Sequence, residues 1–318
     1  MAFHPVERTI LRITGALAVA DAFLIWWKDI LVGIDFFAFS LGLAGLFIVI
    51  GQIYRRYRDS ERIALTTHLI GLFTAYSVFC ALFNLVLLPR PAPPIDAALV
   101  RVDAWLGYSW PAICAWIADY PVLNSIIRTV YKLTLVQLLL GFVLLGLLLD
   151  RRRLHAAALA TVIASLAVIL CWALFPSGGA SAYWTLAPEI DRIVRPIVDS
   201  AHGARLYRLY SEGVHDLSAL GATGLIGFPS FHTVMGLVSL IAVWPYRAFR
   251  ITLLVFGAFL LPGILIHGGH NLVDVIAGAA ITGIAWRLSL AIFDALERVE
   301  PKQPAAVPAG SLPEAIAA

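Results

Sequence analysis

Charge is scarce in this chain. Asp, Glu, Lys and Arg make up 14% of its 318 residues, against about 25% in an average soluble domain. Too few polar side chains are present to coat a water-soluble globule. Cysteine is also sparse. Cys80, Cys114 and Cys171 are odd in number, far apart and form no C-x-x-C pair. That excludes a disulfide framework and a thiolate metal site, and leaves them as small apolar fillers. Neither sign of charge dominates, since the net charge is +3. The basic footprint of a nucleic-acid binder is therefore missing. No internal repeat is visible. What remains is apolar: 60% of residues are hydrophobic and the mean hydropathy is +0.86. These values predict an integral membrane protein.

A membrane-crossing helix needs about 20 apolar residues. Eight segments qualify as candidates, near 10–27, 33–54, 63–89, 123–149, 154–175, 230–246, 250–266 and 271–293. The expected fold is an all-α bundle of about eight transmembrane helices, with a kink at Pro262. Positive charge gathers on the cytoplasmic side of short loops. With eight spans, Arg8 and Arg12, Arg55 to Arg62, Arg151 to Arg153, Arg247 and Arg250, and Arg298 with Lys302 all fall on one side. Both termini are then cytoplasmic, a layout that suits a bacterial inner membrane. "ALAVADAF" contains an Ala-x-Ala pattern, but the apolar part before it is short, so an uncleaved start is expected.

The opposite side carries two long connections, 90–122 and 176–229. The first is rich in Trp and Tyr, which favour membrane interfaces. The second mixes apolar residues with Arg192, Arg195, Arg205 and Arg208 and predicts short amphipathic helices. The Pro/Ala-rich end, 297–318, reads as a disordered cytoplasmic tail.

Chemistry concentrates at two places on that outer side. "GFPSFHTVMG" puts His232 at the start of the sixth span, with Ser230 as a natural N-cap. "HGGHNLVDVIAG" puts His270 at the start of the eighth, where Gly268 and Gly269 permit close approach of a ligand. Helix starts expose unpaired N–H groups and attract anions. Two facing starts are expected to hold a phosphate. His270 and Asp274 are four apart and share a helix face. A carboxylate on one imidazole nitrogen fixes the tautomer and makes the other a better nucleophile. His267 is a weaker candidate on a loop, "PSGG" at 176–179 offers further backbone N–H groups, and His202 and His215 read as solvent-facing. His4, His68 and His155 lie toward the inner side, out of reach of the site.

The P-S-x-H at Pro229–His232, followed by H-x-x-x-D at His270–Asp274, resembles the type 2 phosphatidic acid phosphatase superfamily. "GFPSFH", "GGHNLVD", "VDAWLGYSW" and "VYKLTLVQ" are similar to its inositol phosphorylceramide synthase-like branch. The resemblance covers roughly 63–293. It implies a six-helix core at 63–296 preceded by two extra helices within 1–62. It also implies the roles: His270 as nucleophile forming a phosphohistidine, Asp274 orienting it, His232 protonating the leaving oxygen, and Ser230 holding phosphate oxygens. No metal or other cofactor is implied, and the partners are membrane lipids rather than nucleic acid.

Two departures stand out. The superfamily's phosphatases carry K-x6-R-P near the end of the fifth span, where this chain reads "VILCWALFPSGGASAYW". They carry Ser-Arg before the last histidine, where this chain has Gly263 and Ile264. Replacement cations are expected elsewhere. Arg128 and Lys132, with Tyr131 between them, are the best placed, and the loop arginines are weaker choices. These departures lean toward a headgroup transferase, with a plain lipid-phosphate or polyprenyl-phosphate phosphatase as the alternative. Two other classes compete. Ser230 could serve an intramembrane protease, or His232, His267, His270 and Asp274 could ligate a metal in a transporter.

Overall fold

A computed structural model describes residues 3–90, 92–217 and 224–299. The elements in chain order are α1 (Pro5–Lys28), α2 (Ile34–Arg56), α3 (Glu61–Val86), α4 (Asp96–Trp105), α5 (Trp110–Ala118), α6 (Pro121–Lys132), α7 (Thr134–Leu147), α8 (Arg151–Leu174), α9 (Ala180–Tyr183), α10 (Pro188–Val194), α11 (Ser200–Glu212), α12 (Phe231–Ala242), α13 (Arg247–Ile266) and α14 (Leu272–Val299). Among the described residues the fold is all-helical, and the one extended pairing is a bridge between Leu31 and Asp216.

Helices fill all eight segments expected to be apolar spans. Six are long and apolar enough to cross a membrane: α1, α2, α3, α8, α13 and α14. They fit an integral membrane protein. The segment at 123–149 is broken into α6 and α7, which meet at 52°. The cause is local. The Thr134 hydroxyl donates to the Tyr131 carbonyl at 2.7 Å, and a side chain entering the backbone ladder bends a helix. The segment at 230–246 yields only the twelve-residue α12. At about 1.5 Å per residue this helix is some 18 Å long, short of a hydrocarbon core of about 30 Å. Pro245 explains the stop, because it lacks an N–H and disfavours helix in the residue before it. Pro262 stands inside α13, which continues to Ile266.

The core forms around α8. Its run from Leu154 to Val162 is buried, with Ala156, Ala157, Ala158 and Ala160 at 0% exposure. Small side chains let neighbouring backbones approach closely. Thus α14 and α12 both pack on α8, and α12 also contacts α7, α13 and α14. The short helix that carries His232 is held on four sides.

The two long connections fold into helices as expected. Residues 90–122 give α4 and α5, and 176–229 give α9, α10 and α11. The tail at 300–318 lies outside the described residues. At the far end of α14 from His270, Glu7 is fully buried and bonds Arg55 at 3.2 Å. His4 stacks on His155 at 4.0 Å and meets Glu297 at 2.8 Å. This polar clamp ties α1, α2, α8 and α14 together, well away from the candidate site.

Candidate active site

The two histidines expected to work together are brought together. His270 precedes α14 and His232 lies in the first turn of α12, and their ring centroids are 6.4 Å apart at 61°. The Nδ1 of His270 lies 3.2 Å from Oδ2 of Asp274. The same Oδ2 accepts the Asn271 N–H at 2.8 Å. Asp274 is fully buried and His270 is 4% exposed. The carboxylate therefore fixes the His270 ring and leaves Nε2 outside that bond. The His232 ring also stacks on Tyr131, with centroids 4.3 Å apart. The α6–α7 break places Tyr131 there, just before the bend.

Ser230 is the N-cap of α12. Its Oγ accepts the Thr233 N–H at 3.4 Å, and its own N–H donates to the Asp274 carbonyl at 3.0 Å. The N–H groups of Phe231 and His232 carry no hydrogen bond among the described residues. Among the described residues, the start of α12 thus keeps two donors without a protein partner beside the histidine pair, which suits an anion. Gly269 holds φ +62° and its carbonyl accepts the Ser181 N–H at 3.1 Å. A Cβ there would collide with the Ser181 hydroxyl.

The start of α14 departs from expectation. Asp103 of α4 is 3% exposed, and its carboxylate accepts the N–H groups of Leu272 at 2.9 Å and Val273 at 3.0 Å. The helix start expected to bind phosphate is filled by the protein's own anion. Burial holds the Asp103 carboxyl above its ordinary value, against the opposing pull of those two N–H groups. The "PSGG" loop is corrected in the same way. The Asp96 carboxylate accepts the Gly178 N–H at 3.2 Å, the Gly179 N–H at 2.9 Å and the Ser177 hydroxyl at 2.7 Å. Tyr207 donates a fourth bond to Asp96, at 2.8 Å. Neither loop offers those donors to a ligand.

Arg128 and Lys132 do not join the histidine pair through any hydrogen bond among the described residues. Arg128 donates to the Arg195 carbonyl, and Lys132 is exposed. Both act on His267, which is fully buried at the end of α13 with its Nε2 3.3 Å from the Asn124 carbonyl. Burial, then the nearby Arg128 and Lys132 charges, push His267 down to about 4. Among the described residues its ring makes that one hydrogen bond and none to His232 or His270. His202, expected to face solvent, is 8% exposed and its Nε2 lies 2.9 Å from the Gly224 carbonyl. His215 is exposed as expected.

Sequence reasoning missed Asp96, Asp103, Tyr108 and Arg90. Tyr108 donates to the His270 carbonyl at 3.3 Å. The Arg90 guanidinium lies 5.7 Å over the Trp172 ring, and its Nε and Nη2 have no hydrogen-bond partner among the described residues. Trp172 donates to the Tyr210 hydroxyl, which sits 2.8 Å from the carbonyls of Ser177 and Leu225. The one available signal was the two acids spaced seven apart in the aromatic stretch after Pro94.

With this geometry in place, comparison with known families is decisive at one level. Residues 97–288 match the PAP2 superfamily. The chain belongs to the PAP2 superfamily. Both histidine motifs lie inside the match, whereas α1, α2 and α3 precede it. Members of the PAP2 superfamily are generally phosphatases or phosphotransferases. No curated protein and no solved structure matches the chain.

The site also bears on the competing readings. Ser230 Oγ serves as a helix cap, not as the partner of a histidine base. Among the described residues, no three His, Cys, Asp or Glu side chains are grouped to hold a metal ion.

Proposed function

We propose that this PAP2 superfamily chain is a membrane-embedded lipid phosphotransferase or phosphatase that works through a phosphohistidine on His270. The observation that carries the reading is the His270–Asp274 pair at 3.2 Å with the His232 ring 6.4 Å away across a buried site. His270 Nε2 attacks phosphorus. The N–P bond forms as the P–O bond to the leaving alcohol breaks, and His232 supplies the proton that the leaving oxygen takes up. Water or an alcohol then passes a proton back to His232 and attacks phosphorus, and the N–P bond breaks. Asp274 offsets the positive charge that grows on His270. The free N–H groups at the start of α12 meet the phosphate oxygens, with Ser230 fixing that turn.

In this reading the site faces the extracytoplasmic side and both termini are cytoplasmic, which the clustering of Arg and Lys in alternate loops supports. Eight membrane crossings satisfy that pattern if α6–α7 counts as one and α12 reaches the interface through its flanking turns. The six-helix core then starts at α3. The donor is a phosphate-bearing lipid, and the inositol phosphorylceramide synthase-like motifs favour a lipid alcohol acceptor.

The test uses purified protein in detergent with excess EDTA. It is incubated with lipid phosphates and phosphatidylinositol, with and without ceramide or diacylglycerol. Mass spectrometry follows the lipid products and a phosphate adduct on His270. Free phosphate without an acceptor identifies a hydrolase, and a product formed only with the acceptor identifies a transferase. Full turnover by His270→Ala protein refutes the reading.

A further inference from the structure

A cavity reaches Asn271, the residue that follows His270. It is lined by Asp103, Tyr108, Ser109, Trp110, Trp184 and Asn271, among others. Ser109 and Trp184 are exposed, so the cavity reaches the surface. Its floor is buried: Asn271 is 0% exposed and Trp110 is 2% exposed. Both carry polar atoms without partners among the described residues, namely Nδ2 and Oδ1 of Asn271 and Nε1 of Trp110. A buried polar atom left unpaired costs about 1–3 kcal/mol, and such groups in a native fold call for a ligand or water.

The unpaired atoms select the chemistry. Two donors and one acceptor are on offer. An ammonium group has no lone pair for the indole or amide N–H. A phosphate would satisfy the donors, but it would leave Asn271 Oδ1 unpaired and face the Asp103 carboxylate in the same cavity. A hydroxyl both donates and accepts, and it is neutral beside Asp103. Aromatic walls from Tyr108, Trp110 and Trp184 suit the C–H faces of such a group. The cavity volume is ≈ 70 Å³, room for a few waters or a small polar group.

We propose that this cavity is a hydroxyl-binding subsite, in which Asn271 and Trp110 seat a small neutral polyol portion of the phosphate ester or of the alcohol that receives the phosphoryl group. This rests on the phosphohistidine reading for its place in the reaction. Asn271 directly follows the nucleophile, and its N–H is bonded to Asp274, so a hydroxyl held by its side chain lies next to the group that takes up phosphorus.

Binding is tested first, because it needs no turnover. Full-length protein in detergent is titrated with glycerol or tetramethylammonium and read by saturation-transfer NMR, and with inorganic phosphate read by phosphorus line broadening. Glycerol is expected to saturate, with its half-saturation raised at least threefold in Trp110→Phe and in Asn271→Ser. Trp110→Phe keeps an aromatic ring and removes the donor but also shortens a buried side chain, so thermal unfolding in detergent is read for both variants to separate lost binding from a lost fold. Glycerol binding unchanged in both variants overturns the proposal, as does phosphate or tetramethylammonium binding that the variants abolish while glycerol shows none. Turnover then separates the two sources of hydroxyl. A seat for the acceptor lowers the ratio of glycerol phosphate to inorganic phosphate at least threefold in both variants. A seat for the leaving alcohol instead slows adduct formation from glycerol-type esters relative to p-nitrophenyl phosphate. Either result supports the subsite, and neither effect in both variants overturns it. Failure of the phosphohistidine reading looks different: no adduct and no product from any donor, with glycerol binding still sensitive to Asn271 and Trp110.

Discussion

Asp274→Asn isolates a charge without moving a hydrogen bond. Both bonds to the carboxylate, from His270 Nδ1 at 3.2 Å and from the Asn271 N–H at 2.8 Å, end on Oδ2. The other oxygen, Oδ1, has no partner among the described residues. An asparagine that places its carbonyl at Oδ2 keeps both contacts and puts its NH2 where nothing was bonded. What disappears is the negative charge that offsets the cation developing on His270. At about 4–5 Å and an effective dielectric of about 20, that attraction is on the order of 3–4 kcal/mol. Each 1.4 kcal/mol is a factor of ten, so the rate of adduct formation should fall by about 10²- to 10³-fold. The assay is rapid-quench labelling from a radiolabelled lipid phosphate, quenched in alkali to preserve the N–P bond. Thermal unfolding in detergent runs in parallel and should move little. A rate within twofold of the parent, with the fold intact, refutes the assignment and leaves Asp274 as a helix cap.

His232→Gln should slow cleavage of alkyl phosphates far more than of p-nitrophenyl phosphate, whose leaving oxygen needs little protonation; equal losses in steady-state rates would remove His232 as the acid. Asp103→Ala strips two charge-assisted bonds from the start of α14 and should lower stability by about 2–3 kcal/mol, read as a reduced thermal midpoint in detergent and faster amide exchange at Leu272 and Val273. Gly269→Ala meets the Ser181 hydroxyl at a backbone angle that L-residues rarely adopt, so phosphate release should drop at least tenfold while Gly257→Ala, with open space at its Cβ, stays near the parent. Arg128→Ala removes a bond to the Arg195 carbonyl and should change kcat by less than threefold.

Much of this was legible along the chain because it is local. Apolar runs mark the helices, and H-x-x-x-D puts His270 and Asp274 on one face whatever surrounds them. The pairing of His232 with His270 follows from both lying at the same end of their spans. The occupied helix start was not legible. Asp103 and Leu272 are 169 residues apart, and no periodicity reports which distant carboxylate caps a given helix. The same holds for Asp96 and the "PSGG" loop. Tyr131 reads as one unit with Arg128 and Lys132, and all three lie on α6, yet they serve different neighbours: the Tyr131 ring stacks on His232, whereas the charges of Arg128 and Lys132 bear on His267. The short α12 is hidden because apolar residues continue through Val243 and Trp244, whereas the helix ends at Ala242, ahead of Pro245.

One helix, α4, carries both Asp96 and Asp103. Seven residues of helix set these two carboxylates about 10.5 Å apart, nearly two full turns and on the same side. One end grips the 177–179 loop and the other grips the start of α14. The helix is thus a caliper whose opening is fixed by covalent geometry. Losing or gaining one residue between the jaws would rotate one of them by about 100°, so the length of this segment is as constrained as any side chain in the site. Sequence drift across the outward face of α4 is cheap, whereas a single-residue indel there is not.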